Sequence, residues 1–228
     1  MDSTTQPTKP AGVLAQDPWS GGDSLIQSVV EVFQTPLSCA YNWDYSVADQ
    51  RLQKLYSLGK QRNWDVDVDI DWQRPLPHDD LPTTMHPFEG WQEYDALTPE
   101  RKLKFRWHQY AWTISQYLHG EQGALLVASQ LVSCAPTYEA KLFAASQTFD
   151  EARHVEAFSK YLERQVGFRY PCSPPLKHLL DRVLTDPRWD LKFIGMQLVI
   201  ESLALASFGT QRMLAKDPVF HDVVERIL

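Results

Sequence analysis

The chain has 228 residues, of which 43% are hydrophobic, and a formal net charge of −7. This size allows one domain with a substantial core, and an acidic balance without a Lys/Arg cluster argues against nucleic acid or an anionic membrane as the main partner. The cysteines Cys39, Cys134 and Cys172 are too few and too far apart for a disulfide framework or a Cys-x-x-Cys zinc site, which favours a reducing, cytoplasmic location.

The N-terminal part of the chain is predicted to be mostly irregular. Residues 1–24 are rich in Thr, Pro, Gly and Ser, which is typical of a disordered tail, and they show no signal-peptide pattern. Residues 25–97 are predicted to contain short helices, the clearest over 47–62, and an arm over 63–90. Aromatic residues alternate with Asp and Pro in this arm, and we interpret it as a covering segment anchored by its aromatic side chains.

Residues 98–228 carry the pattern of a bundle of long helices. Thr98 is a suitable N-cap and Pro99 suits the first helical position, so the first long helix is predicted to begin there. Helices are predicted over 99–134, 137–166, 175–184, 188–216 and 217–228. No strand pattern is present, and the apolar stretch 123–135 is too short to cross a bilayer. The predicted fold class is therefore all-α, with no membrane as partner.

Three glutamates lie in the middle of the apolar faces of the long helices. They are Glu121, Glu151 and Glu201, one in each long helix. A salt bridge in the core explains any one of them, and a solvated face explains a single Glu-x-x-His pair. Three buried carboxylates together, with His154 one turn after Glu151, favour a metal site, because an unpaired buried carboxylate costs several kcal/mol.

The order of these residues resembles that of a known superfamily. A glutamate, then Asp-Glu-Ala-Arg-His at 150–154, then another glutamate resembles the ligand set of the ferritin-like di-iron carboxylate proteins. These include the ribonucleotide reductase small subunit and the hydroxylase subunits of bacterial multicomponent monooxygenases, whose Asp-Glu-x-Arg-His motif is the more similar. The resemblance implies a ferritin-like, ribonucleotide reductase-like bundle with a di-iron site, or a manganese–iron pair as the alternative.

The resemblance also implies roles for particular residues. Glu121, Glu151 and His154 are expected to hold one iron, with Glu151 bridging, and Glu201 is expected to belong to the second iron. Asp150 and Arg153 are expected to orient the ligands by hydrogen bonds. The candidate residues of the substrate pocket are Tyr117, Phe158, Tyr161 and Phe208. The expected partners are dioxygen and a small organic substrate, with an electron-donor protein and a homodimer as further options.

The chain departs from the superfamily pattern after Glu201. The full ligand set closes with a second Glu-x-x-His on a fourth long helix, whereas the residue three before His221 is Pro218, which cannot bind a metal. We therefore expect the sequence to be the N-terminal part of an oxygen-dependent oxidase or oxygenase, inactive as an isolated chain of 228 residues. The alternatives are a degenerate bundle used for interaction and a simple iron-binding protein. Without the fourth helix, apolar side chains near Glu201 should be uncovered.

Overall fold

The computed structural model describes residues 33–76, 78–80, 83 and 87–228. The predicted tail over 1–24 and the adjoining segment to residue 32 lie outside the described residues. The described residues form no strand, and one isolated bridge joins Thr83 to Ala215. The all-α prediction is confirmed. The helices are α1 Gln50–Gln61, α2 Gln92–Asp95, α3 Pro99–Cys134, α4 Tyr138–Tyr161, α5 Pro174–Thr185, α6 Trp189–Phe193, α7 Glu201–Leu214 and α8 Pro218–Ile227.

Local capping sets the ends of the two longest helices. The Thr98 side chain accepts a hydrogen bond from the backbone N–H of Arg101 and Pro99 opens α3, as predicted. Thr137 caps α4 in the same way by accepting from the backbone N–H of Ala140. After α4 a π-helical turn, Leu162–Val166, ends at Gly167, whose φ of 86° is the left-handed conformation that glycine adopts readily.

The third long helix is interrupted, whereas the sequence pattern predicted one continuous helix over 188–216. A π-helical turn, Ile194–Ile200, separates α6 from α7 and ends directly before Glu201. A π-helical turn accommodates extra backbone and rotates the side chains that follow it, and such turns are frequent at functional sites. The spacing of apolar residues in the sequence does not reveal this π-helical turn, because the turn shifts that spacing by only about one residue.

The bundle is built around the pairing of α3 with α4. The short connection 135–137 joins them, and they pack along much of their length, while α1 and α8 pack on α4 and α5 packs on α3. The apolar core forms two clusters. The first contains Trp107, Ile114, Phe158 and Phe220, and the second contains Val127, Ala144, Leu180 and Met196.

The candidate ligands lie where the two clusters meet. Along α3, Glu121 stands between Leu118 of the first cluster and Ala124 of the second. Along α4, Glu151 stands between Ala144 of the second cluster and Ala157 of the first. The polar residues thus lie between the two apolar clusters, in the middle of the bundle. Because a buried charge is costly when it is unpaired, their charges must be compensated there.

The first part of the arm, residues 64–76, lies against the first cluster, with Val66, Ile70 and Trp72 buried. The indole Nε1–H of Trp72 donates to the backbone carbonyl of Val66 at 2.7 Å, which closes the arm on itself. From the other side, Arg226 of α8 donates to the backbone carbonyl of Asp69 at 2.8 Å. These contacts suit a covering segment, and the division of the chain into domains stays a prediction.

One helical stretch of the described chain, Trp189–Leu214, is long and apolar enough to cross a membrane by length and composition alone. Lys192, Gln197 and Glu201 interrupt the apolar runs of this stretch, so it does not stand out in the sequence. Little of this stretch is buried: the apolar side chains of Leu198 and Leu203 are 58% and 66% exposed. This agrees with the expectation that apolar side chains near Glu201 are uncovered.

Candidate metal centre

Glu121, Glu151 and His154 form a compact group between α3 and α4. One potential ligand atom from each lies within 4.8 Å of the others. The Nδ1 atom of His154 is 3.1 Å from Oε2 of Glu121 and 3.3 Å from Oε2 of Glu151. Both glutamates are buried. Two ligands come from successive turns of one helix and the third from its packing partner, so rigid elements hold all three.

Glu151 and His154 both have raised pKa values. Burial raises the pKa of Glu151 to about 7, with a further rise from the charge of Glu121 and an opposing effect of His154. Burial lowers the pKa of His154, but its hydrogen bonds and ion pairs with Glu121 and Glu151 outweigh this and raise the pKa to about 10. His154 is therefore an imidazolium at neutral pH. Without a metal, the positive charge of the ring compensates the neighbouring carboxylates. A metal must displace the ring proton, because only the neutral imidazole binds it.

One buried carboxylate oxygen shows that the group fits a cation. Oε1 of Glu151 accepts a hydrogen bond from Nε2 of Gln147 at 3.2 Å. Oε2 of Glu151 is buried and has an ion-pair contact of 3.3 Å with Nδ1 of His154, but among the described residues it makes no well-formed hydrogen bond, because that of His154 Nδ1 goes to Glu121. When His154 is deprotonated this contact loses its charge, and a buried carboxylate oxygen without compensation costs ~1–3 kcal/mol or more. Carboxylate and imidazole ligands with such an open position suit iron.

Glu201 lies outside this three-residue group. It is half-buried and lines, together with Glu121, a cavity of about 470 Å³. Burial raises the pKa of Glu201 to about 7, the charge of Glu151 adds to the rise, and the charge of His154 opposes it. Glu201 is thus within electrostatic reach of the group. The structure brings three of the four predicted ligands together and places the fourth on the adjoining cavity wall, and the roles of all four as ligands stay predictions.

Asp150 and Arg153 are directed to the arm. The guanidinium of Arg153 donates to Asp150, to Oδ1 of Asn63 at 2.6 Å and to the carbonyl of Trp64 at 3.2 Å. It also lies over the ring of Trp64, 5.5 Å from the centroid. None of these hydrogen bonds, within the described part of the chain, reaches Glu121, Glu151 or His154. The pair fastens α4 to the arm.

Two glutamines that were not among the predicted site residues lie next to a candidate ligand. Gln147 donates to Glu151, and Nε2 of Gln197 in turn donates to Oε1 of Gln147 at 2.7 Å. The first contact had a signal in the sequence, since a glutamine one turn before a carboxylate commonly bonds to it on a helix. The second had none, because Gln197 comes from the π-helical turn 50 residues away in the sequence.

The four predicted pocket residues divide into two pairs. Tyr117 and Phe208 line the cavity beside Glu121. Phe158 lies behind them, with its ring centroid 5.8 Å from that of Tyr117 and 5.6 Å from that of Phe208. Tyr161 is buried further along α4, where its hydroxyl donates to Oδ2 of Asp217 at 2.6 Å. Phe158 and Tyr161 therefore support the wall and the core without lining the cavity.

The helical bundle and the buried carboxylate–imidazole group between its two longest helices define a ferritin-like protein with a candidate metal centre. The family model of the p-aminobenzoate N-oxygenase AurF matches residues 46–227. The chain belongs to this family of ferritin-like di-iron oxygenases. No curated protein and no solved structure matches the chain. The resemblance to the di-iron superfamily and the prediction of iron as cofactor are thereby confirmed.

Proposed function

We propose that this protein is a non-haem di-iron oxygenase that oxidises a small organic molecule held in the cavity beside Glu121 and Glu201. The observation that carries the proposal is the compact group of Glu121, Glu151 and His154, of which Glu121 lines a cavity of about 470 Å³. Membership of a di-iron oxygenase family supports it. Iron bound here supplies the activation of dioxygen that organic substrates need.

Each residue has a stated part in this proposal. Glu121, Glu151 and His154 would hold one iron, and Glu201 would contribute a carboxylate to the second from the cavity wall. Gln147, itself held by Gln197, fixes the orientation of the Glu151 carboxylate. The proton of His154 leaves when metal binds, because only the neutral imidazole is a ligand.

The second iron needs ligands beyond those that the described residues bring together. Glu201 and a share of Glu151 supply carboxylate oxygens but no imidazole. We propose that the remaining ligands come from a partner chain. The 228-residue chain alone then binds about one iron and is inactive. An electron-donor protein and a homodimer belong to the same proposal, as does the cytoplasmic location.

Iron binding tests the proposal directly. The protein is loaded with ferrous iron without oxygen, and bound iron per chain is measured after desalting. We expect about one iron for the unaltered chain and a loss of at least ~10-fold in affinity for Glu151→Gln and His154→Ala. Glu156→Gln is the matched control, since Glu156 lies on the same helix, is half-exposed and pairs with Lys160. Retention of iron by both site variants would exclude this metal centre and favour a non-catalytic bundle.

A further inference from the structure

Two cysteines that are far apart in the sequence come close together in the folded chain. Cys39 lies in the irregular segment before α1, and Cys134 is the last residue of α3. The backbone N–H of Ala40 donates to the carbonyl of Ser133 at 3.0 Å, so the residues next to the two cysteines are hydrogen-bonded to each other. Standard backbone dimensions then place the two cysteine Cα atoms no more than ~8 Å apart. Disulfides usually join Cα atoms ~4.4–6.8 Å apart, so at most a small movement of the segment is needed.

Contacts on both sides of Cys39 hold its segment against the bundle. Before it, Leu37 packs on the second cluster, to which Cys134 also belongs. After it, Nδ2 of Asn42 donates to the carbonyl of Pro136 at 3.0 Å, in the connection between α3 and α4. The segment therefore keeps Cys39 at the end of α3.

The two thiols differ in their access to solvent. Cys39 is exposed, whereas Cys134 is only 7% exposed. Burial raises the pKa of the Cys134 thiol, the charges of two nearby lysines oppose this rise, and the charge of Cys39 adds to it. This influence of one thiol on the other agrees with their closeness. An external reagent meets Cys39 first, and Cys134 reacts with a partner that lies next to it.

We infer that Cys39 and Cys134 form a reversible disulfide that fastens the N-terminal segment to the end of α3. The oxidant is a small-molecule disulfide of the glutathione class. The Cys39 thiolate attacks one sulfur of the oxidant, so that a mixed disulfide forms and one thiol leaves. The Cys134 thiolate then attacks the Cys39 sulfur, and the second thiol leaves. Two protein thiols are oxidised, the oxidant is reduced to two thiols, and these carry away the two protons.

The disulfide adds a modification site that the proposed function does not require. Neither cysteine belongs to the candidate metal centre, so each proposal can fail without the other. In a reducing compartment such a bond is transient and responds to the supply of oxidant. It closes a loop on the order of 100 residues, which restricts the unfolded chain and should stabilise the oxidised form.

Mapping of the thiols tests the inference. The full chain is equilibrated in a glutathione redox buffer, its free thiols are alkylated, and the peptides are analysed by mass spectrometry without reduction. We expect the Cys39–Cys134 bridge to exceed the mixed disulfide at Cys39 by about 10-fold or more, because a thiol held beside it competes well with free glutathione. Cys39→Ser should leave Cys134 reduced, and Cys134→Ala should leave the mixed disulfide at Cys39. Cys172→Ser is the matched control and should keep the bridge, since Cys172 is the third free cysteine of the chain.

Two further measurements show whether the fold brings the thiols together. In urea that unfolds the chain, the ratio of bridge to mixed disulfide should fall by about 10-fold or more, because the thiols must then close a long flexible loop. Oxidation should raise the Tm of the unaltered chain by on the order of 10 °C and leave that of Cys39→Ser unchanged.

Four results would overturn the inference. They are a mixed disulfide that persists at Cys39 of the folded chain, a bridge to Cys172 or between two chains as the main product, an equal ratio of bridge to mixed disulfide in the folded and the unfolded chain, and a Tm that oxidation does not raise. Loss of iron binding with the bridge intact would count against the proposed function alone.

Discussion

Oε2 of Glu121 and Nδ1 of His154 lie 3.1 Å apart although 33 residues separate them in the chain. One belongs to α3 and the other to α4, so the packing of these helices creates the contact. The second carboxylate, that of Glu151, lies 3.3 Å from the same nitrogen. A single proton on His154 thus compensates two buried carboxylates. The stability of the metal-free protein should therefore depend on whether His154 carries that proton.

The stability of the metal-free protein should fall as pH rises. The folded-state pKa values of Glu151, about 7, and of His154, about 10, both exceed the ordinary values of 4.5 and 6.5. The folded state therefore binds more protons than the unfolded state. The contribution of Glu151 is complete below pH 4.5 and lost as pH rises through 7, and that of His154 is complete below pH 6.5 and lost through 10. Calorimetry should show a fall in Tm on the order of 10 °C between pH 5 and 10.

The variant Glu151→Gln should flatten this pH dependence, since the amide cannot titrate and leaves the imidazolium one carboxylate fewer. Glu156→Gln, on the exposed side of the same helix, should keep the full slope. A metal-free protein whose Tm rises over this range would contradict the assignment of these protons.

Metal binding should release protons in a pH-dependent number. At pH 8 His154 still carries its proton, whereas Glu151 is mostly ionised, so a divalent metal should release about one proton. At pH 6 Glu151 is mostly protonated and the number should approach about two. Calorimetry in buffers of different ionisation enthalpy measures it, with Zn²⁺ as a redox-inert probe. Binding without proton release at pH 8 would place the metal away from His154.

Removing the amide of Gln147 should weaken metal binding without unfolding the protein. Gln147→Leu deletes the donor to Oε1 of Glu151 and the acceptor for Gln197. Loss of such support typically costs ~10–100-fold in metal affinity. Thr148→Ala is the control, because the Thr148 hydroxyl bonds only to the backbone carbonyl of Ala144. An affinity equal in the two variants would show that Gln147 does not orient the ligand.

The exposed apolar side chains of α7 and the preceding π-helical turn should cause self-association. Leu198 and Leu205 are 58% and 51% exposed, and apolar side chains so placed favour contact with a second surface. The double variant Leu198→Glu/Leu205→Glu should shift the chain toward monomer in sedimentation velocity. Val68→Glu, an exposed apolar residue of the arm, serves as control and should leave association unchanged. A monomeric unaltered chain would show that this face stays uncovered without association.

Asp217 should contribute to stability through two elements at once. Oδ2 of Asp217 accepts from the hydroxyl of Tyr161, and its carboxylate caps α8 by accepting from the N–H groups of Val219 and Phe220. Asp217→Ala removes all three bonds and should cost ~2–4 kcal/mol, while Tyr161→Phe removes only one of them, together with the bond to the Tyr110 hydroxyl, and should cost ~1–2 kcal/mol. Urea denaturation of the two variants measures the difference. Equal costs would mean that the cap contributes little.

Local signals in the sequence predicted much of the fold. The start of α3 at Thr98 and Pro99 and its end before Pro136 follow from capping and from the geometry of proline, and these act within a few residues. The same holds for the end of the second long helix at Gly167. The separation of Glu151 and His154 by one turn also followed from the helix period alone.

Tertiary structure decided which side chains meet. The neighbours of Glu201 depend on a π-helical turn that periodicity does not reveal, and the contact of Gln197 with Gln147 joins elements 50 residues apart. Arg153, expected beside the ligands, pairs with Asp150 and reaches Asn63 because the arm passes that side of α4. A helix pattern specifies the face on which a residue lies. What that face packs against is set by long-range contacts, which a local pattern does not encode.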